Sequence, residues 1–258
     1  MASSSQDGAL VVLARKILSP KTRAWLTGQQ KKHRLQWPRA GGVQFGDLRR
    51  TKPISAIFGL DRGTVIDRYY IERFLGDNAD AIAGRAMELG DAFYIGKFGG
   101  GKVTKVEVLH VVAGNPEATI VADLTDAPQI PDNSMDCVIF TQSLQMIDDM
   151  KAALSTLHRI LKPGGTLLLT TAGIAKVGRR LGRDDWGEYW RLTAQGAEAL
   201  MVETFPGATT TVTAYGNVLA ATAFLQGLAA EELTMAELDF LDPDFEVIVG
   251  IRATKAGG

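Results

Sequence analysis

One stretch, residues 118–173, limits the choice of fold more than any other part of the chain: ATIVADLTDAPQIPDNSMDCVIFTQSLQMIDDMKAALSTLHRILKPGGTLLLTTAG. An apolar run ends in an acid, Asp123. A Pro-Asp-Asn-Ser turn leads to a second apolar run, CVIF. A segment of helical period follows and stops at Lys162-Pro163-Gly164-Gly165, where a cation, Pro and Gly end helices. A third apolar run, TLLLTT, closes the stretch. Strands alternating with a helix imply an open α/β sheet. Parallel strands in such a sheet are covered on both faces, so they read as unbroken apolar text.

The flanks extend the pattern. Residues 85–89, 102–109, 118–122, 136–141 and 166–171 are expected as five strands, with a helix over 149–161. Ile66, Tyr70, Phe74 and Leu75 share one face of a helix that precedes the first strand. Thr193 caps a helix reaching 203, residues 209–215 suit a strand, 217–230 a helix and 245–253 a closing strand. Residues 9–18 suit a short helix, and one helical turn is expected around 22–32. The only Cys, Cys137, falls in a buried strand, so no internal disulfide forms and a reducing, cytoplasmic setting is expected. No stretch is long and apolar enough to span a bilayer, and no secretory signal is evident.

Charge is unevenly spread. The net charge of the whole chain is −1, yet residues 1–52 hold 11 Lys and Arg against 2 Asp. We expect a basic extension over 1–52 and a catalytic domain over 53–258. The arm contains Arg15, Lys16, Lys21, Arg23, Lys31, Lys32, Arg34 and Arg39, interleaved with Trp25 and Trp37. It suits packing on an acidic surface of its own or a neighbouring subunit, which would make the protein a homo-oligomer, or contact with an anionic surface. No nucleic-acid-binding module accompanies it.

The order strand, acid, turn, strand, helix, L-K-P-G-G, strand resembles the class I S-adenosylmethionine-dependent methyltransferases over residues 64–172. DRGTVIDRYYIERFL (61–75) is similar to openings of those encoded near bacterial glycosyltransferase and secondary-metabolite genes. The resemblance implies a Rossmann-like, doubly wound seven-stranded sheet with an antiparallel last strand. It implies S-adenosylmethionine as cofactor, bound across the carboxyl ends of the first four strands. Glu88 and Gly90 stand at the family's acid-x-Gly-x-Gly-x-Gly; the later glycines are replaced by Ala92 and Tyr94, so Tyr94 is expected to cover the cofactor. Glu107, 19 residues past Glu88, is expected on the ribose hydroxyls. Asp123 and Leu124 are expected on the adenine. Thr141 and Gln142 are expected near the sulfonium, and Arg68 on the cofactor carboxylate.

The acceptor is expected to be a small molecule, methylated at a hydroxyl oxygen of a sugar or secondary metabolite. N- or carboxyl methylation and a non-catalytic scaffold are the alternatives. Tyr69, Gln145, Trp186, Tyr189 and Trp190 are expected on the acceptor. His33, His110 and His158 offer no evident base, which leaves Asp148, Asp149, Asp184, Asp185 and Tyr189 as candidates. No metal-ligand spacing is present.

Overall fold

In the computed structural model, residues 17–33, 38–178 and 187–257 are described. The chain divides into two compact units, Met1–Thr51 and Lys52–Gly258. The first contains helix α1, Pro20–Lys32, longer than the single turn expected. Ser19 caps it by accepting from the Thr22 amide, and Pro20 stands in its first turn, where the missing N–H costs nothing. Lys31 and Lys32 end it, and Trp25 is 62% exposed. Residues 9–16, Trp37 and Arg34 lie outside the described residues.

The second unit is built on one seven-stranded sheet in the order β3-β2-β1-β4-β5-β7-β6. Its strands are β1 Gly84–Leu89, β2 Val103–His110, β3 Ile120–Val121, β4 Met135–Thr141, β5 Leu161–Ala172, β6 Thr209–Tyr215 and β7 Ile248–Thr254. The pairs β1–β2, β1–β4, β2–β3 and β4–β5 are parallel; β7 is antiparallel to both β5 and β6. The helices are α2 Ile66–Asp77, α3 Phe93–Phe98, α4 Met150–Ile160, α5 Ala194–Thr204, α6 Val218–Gln226 and α7 Met235–Asp239.

Alternation in β4 explains the layers. Val138 and Phe140 enter one core with Leu154, Leu157 and Ile160 of α4 and Leu200 of α5. Cys137 and Ile139 enter the other with Ile66, Tyr70 and Phe74 of α2 and Phe224 of α6. A strand buried on both faces is apolar through its buried length, and Cys137–Phe140 of β4 reads so. Gly250 of β7 lies under the Phe74 ring; a Cβ there would come within 2.7 Å of Cδ2.

Two boundaries differ from expectation in an informative way. β5 begins at Leu161 and not at Thr166, so Lys-Pro-Gly-Gly is the entry of the strand itself. Gly164 takes a left-handed φ of +79°. Gly165 lies so close to the carbonyls of Lys162 and Met135 that a Cβ would meet them at 2.9 and 3.0 Å. β3 is only Ile120–Val121, because the ladder with β2 stops at His110–Val121.

Candidate active site

The strand order reverses between β1 and β4, and ligands of open α/β sheets bind at the carboxyl edge beside that reversal. Gly90 follows β1 there. Its φ is +89°, and the space where a Cβ would stand is open. Its amide donates to Leu109 O at 2.9 Å, and its carbonyl accepts from Asn115 Nδ2 at 2.6 Å. The turn is therefore tied to β2 and to the loop after it.

Glu88 does not face open space. Its two carboxylate oxygens accept from the Tyr94 and Ile95 amides at 3.1 and 2.8 Å, closing the start of α3. Burial pushes its pKa up to about 7 against the pull of those two amides. Tyr94 is buried, edge-on to Phe93 and stacked on Phe98. It packs the short helix where glycines were expected. Burial lifts its hydroxyl to about 12, and the charges that act on it are Arg68, Glu72, Asp67 and Glu88.

Glu107 corrects the sequence reading. A spacing of 19 residues points to a ribose acceptor at the end of β2, but β2 runs on to His110. Glu107 lies three residues inside the strand, roughly 10 Å below its end. Oε1 takes Arg85 Nη2 and Lys105 Nζ, each at 2.7 Å, and Oε2 takes Thr119 Oγ1 at 2.5 Å. Burial opposes its charge, but the hydrogen bonds of Lys105, Thr119 and Arg85 prevail and hold its pKa down at about 2. Its carboxylate is already satisfied. His110 occupies the strand end, with Nδ1 at 2.8 Å from Val112 O.

Asp123 is exposed on the same edge as Gly90. Oδ1 accepts from Thr125 N and Oγ1 at 2.9 and 2.8 Å. This Asx turn fixes the carboxylate and leaves Oδ2 without a hydrogen bond among the described residues. Leu124 behind it is buried. Gly90, Asp123 and Leu124 thus stand just past the carboxyl ends of β1 and β3, on one edge of the sheet.

The fourth turn is the most constrained. Gln142 takes a left-handed φ of +48°, which costs a non-glycine residue energy and concentrates at functional sites. Its amide donates to Thr170 O at 2.8 Å. Gln145 is buried; Nε2 donates to Gln142 O and Oε1 at 3.0 and 3.1 Å, and Oε1 accepts from Thr171 Oγ1.

Beside this turn lies a cavity of about 190 Å³ lined by Phe58, Asp67, Gln142, Gln145, Met146, Ala172, Ala175, Lys176, Gly178, Glu188, Phe224, Val247 and Ile248. Lys176 Nζ sits 3.4 Å from the centre of the Phe58 ring, and burial lowers its pKa. Glu188 accepts from Gly178 N and pairs with Arg191 at 2.5 Å. Burial raises Asp67 to about 6. Asp67, Phe58, Lys176, Glu188 and Phe224 were not among the residues expected from sequence. An acid in a helix's first turn ordinarily reads as a complement to the helix dipole.

Other expected residues stand elsewhere. Tyr69 donates to Asp239 at 2.7 Å and does not line the cavity, because two positions along a helix turn the side chain about 200° from Asp67. Asp149 is the N-cap of α4, accepting from Ala152 N at 3.0 Å, so its carboxylate serves the helix. Asp148 is exposed and accepts from the Asp149 amide. Trp190 Nε1 donates to the carbonyls of Ile147 and Asp148 at 2.9 and 3.2 Å, bracing the loop after β4. Tyr189 is 56% exposed, with its amide bonded to Gln145 O. Arg68 is exposed, its guanidinium 6.0 Å from the Phe93 ring centre. Thr141 accepts from Ser143 through its carbonyl. Asp184, Asp185 and Trp186 lie outside the described residues. Among the described residues no cluster of His, Cys, Asp and Glu is placed to hold a metal, and no helix is long and apolar enough to cross a membrane.

Residues 97–169 match the model of a methyltransferase domain family. A ubiquinone/menaquinone biosynthesis C-methyltransferase of an Enterobacter species is 40% identical over 58 residues, 22% of this chain and 22% of that one. The protein of the same name from Pasteurella multocida is 46% identical over 44 residues, 17% of this chain and 16% of that one. The chain thus spans about a fifth of the length of the curated relatives it matches. Among solved structures, a proposed sarcosine dimethylglycine methyltransferase of Galdieria sulphuraria superposes with a TM-score of 0.50 at 15% identity, covering 84% of this chain and 95% of that one. Strand order and reversed last strand give the chain the Rossmann-like methyltransferase fold, and residues 97–169 carry the methyltransferase domain match.

Proposed function

We propose that this protein transfers a methyl group from S-adenosylmethionine to a hydroxyl oxygen of a small molecule, a sugar or secondary metabolite. The observation that carries the reading is the convergence of Gly90, Asp123 and Gln142 on one carboxyl edge at the reversal of strand order. When bound, the donor supplies an electrophilic methyl on a good, neutral leaving group, so the protein's task is mainly alignment.

Gly90 lets the backbone approach the amino-acid half of the donor. Asp123, held by Thr125, offers Oδ2 to the adenine amino group, and Leu124 supports the ring. Gln142, locked by Thr170 and Gln145, sets the transfer point between the nucleoside edge and the cavity. Glu88 acts at one remove, by holding the amides of α3. The basic unit before residue 52 suits contact with an anionic surface.

Calorimetry and thermal denaturation with S-adenosylhomocysteine test the donor. A ligand that binds only the folded chain raises its midpoint; no binding at millimolar concentration overturns the reading. A screen with labelled methyl donor and hydroxyl, amine, carboxylate and carbon acceptors then assigns the acceptor atom.

A further inference from the structure

The cavity beside Gln142 is too small for the whole donor. Its volume of about 190 Å³ is below the roughly 300–1,000 Å³ of sites for drug-sized ligands. It therefore suits a ring-sized acceptor and not the whole donor. Phe58, Phe224, Val247, Ile248 and Ala172 supply apolar walls; Gln142, Gln145 and Asp67 supply the polar end. Two of the three non-glycine residues with left-handed backbone among the described residues, Phe58 at φ +65° and Gln142 at φ +48°, border this one cavity. Two strained backbone positions bordering one space mark it as a candidate site.

Asp67 stands in the first turn of α2, where its charge suits the helix dipole. No side chain donates to its carboxylate among the described residues; only the amide and charge of the adjacent Arg68 favour its ionised form. Every other charged group lining the cavity is engaged: Glu188 by Arg191 and Gly178 N, Lys176 by the Phe58 ring. Tyr94 is coupled to Asp67 through charge, and Tyr94 in turn feels Arg68, Glu72 and Glu88. The Glu72 carboxylate is paired with Lys97.

Resting on the methyltransferase reading above, we propose that this cavity receives a single hydroxylated ring and that Asp67 is the base that removes its hydroxyl proton. As the acceptor oxygen forms its bond to the methyl, the carbon–sulfur bond breaks with its electron pair passing to sulfur. The hydroxyl proton goes to Asp67. A sulfonium and a carboxylate are consumed; a neutral thioether and a neutral carboxylic acid remain. A carboxylate shielded from water is a better base than a solvated one, because its neutral form is the favoured one there.

The test uses the full chain, Asp67→Asn and Asp67→Glu, with labelled donor and two probe acceptors, phenol and 4-nitrophenol. The second is largely ionised near neutral pH and needs no base. Wild type is expected to methylate both. Asp67→Asn is expected to lose at least about 100-fold on phenol and under fivefold on 4-nitrophenol, with Asp67→Glu recovering part of the phenol rate. The wild-type phenol rate should rise with pH through about 6, and that limb should vanish in Asp67→Asn. S-adenosylhomocysteine affinity should stay within about twofold in both variants. Equal losses on both probes, a loss under fivefold on phenol, or a collapse of S-adenosylhomocysteine affinity overturns the base. Failure of wild type on both probes while S-adenosylhomocysteine still binds overturns the ring pocket. Failure of the wild type to bind S-adenosylhomocysteine overturns instead the methyltransferase reading beneath it.

Discussion

Glu107 and Asp67 are acids in two halves of one domain, and their surroundings drive them in opposite directions. Glu107 lies inside β2 among Arg85, Lys105 and Thr119, and its pKa is held at about 2. Asp67 lies in the first turn of helix α2 against an apolar-walled cavity, with no salt bridge among the described residues, and burial lifts its pKa to about 6. Satisfied charge is structural: it fixes β1 to β2 and leaves nothing for a ligand. Unsatisfied charge is held at a cost that the rest of the fold must meet, and it is available for chemistry.

The contrast is broken most directly by removing each charge. Glu107→Gln leaves Arg85 and Lys105 without their partner and is expected to cost about 3 kcal/mol of stability in urea denaturation at pH 7. Asp67→Asn is expected to do the reverse at pH 8, stabilising by about 2 kcal/mol, because it deletes a charge that its surroundings disfavour. Loss of stability in that variant would assign Asp67 a structural role.

The pH dependence carries the same signs. Asp67 has a folded pKa raised from 3.8 to about 6, so its contribution to stability is present below 3.8 and lost as pH rises through 6. Glu107 is lowered from 4.5 to about 2, so its contribution is present above 4.5 and lost as pH falls through 2. Stability curves of the two variants measured from pH 3 to 8 should both depart from wild type toward pH 8, Glu107→Gln falling below it and Asp67→Asn rising above it.

Smaller effects sharpen the division between edge and cavity. Asp123→Ala should weaken S-adenosylhomocysteine about tenfold, or about 1.4 kcal/mol, with little change in melting; unchanged affinity removes the adenine role. Asp149→Ala should cost about 1 kcal/mol of stability through the lost cap and leave donor affinity unaltered. Tyr189→Phe should change neither donor affinity nor stability by more than about 0.5 kcal/mol.

Much of the fold was legible before any coordinates. Continuous apolar runs at 136–141 and 166–171 can be buried only between two layers, and both are central strands. Ile66, Tyr70, Phe74 and Leu75 have helical spacing, and all four are buried on one face of α2. Thr193 and Asn217 cap helices as their side chains allow. These are local matters of period and capping, which neighbouring residues settle among themselves.

The site was legible where it depends on strand ends, and obscure where it depends on distant partners. Gly90 and Asp123 reach the edge because each follows a strand. Glu107 misled because a count of residues does not reveal that Arg85, one strand away, would claim its carboxylate together with Lys105 and Thr119. Asp149 and Trp190 read as chemistry but cap and brace the β4–α4 connection.

Asp67 shows the limit most clearly. Its helix was evident from spacing, but its cavity is assembled from Phe58, Gln142, Lys176, Glu188, Phe224 and Val247, spread over nearly 190 positions of chain. Periodicity reports which face of an element is apolar, a property carried by residues three or four apart. The charge state of one carboxyl depends on what the remaining chain packs around it, through desolvation and Coulomb forces that act across space and leave no spacing to read.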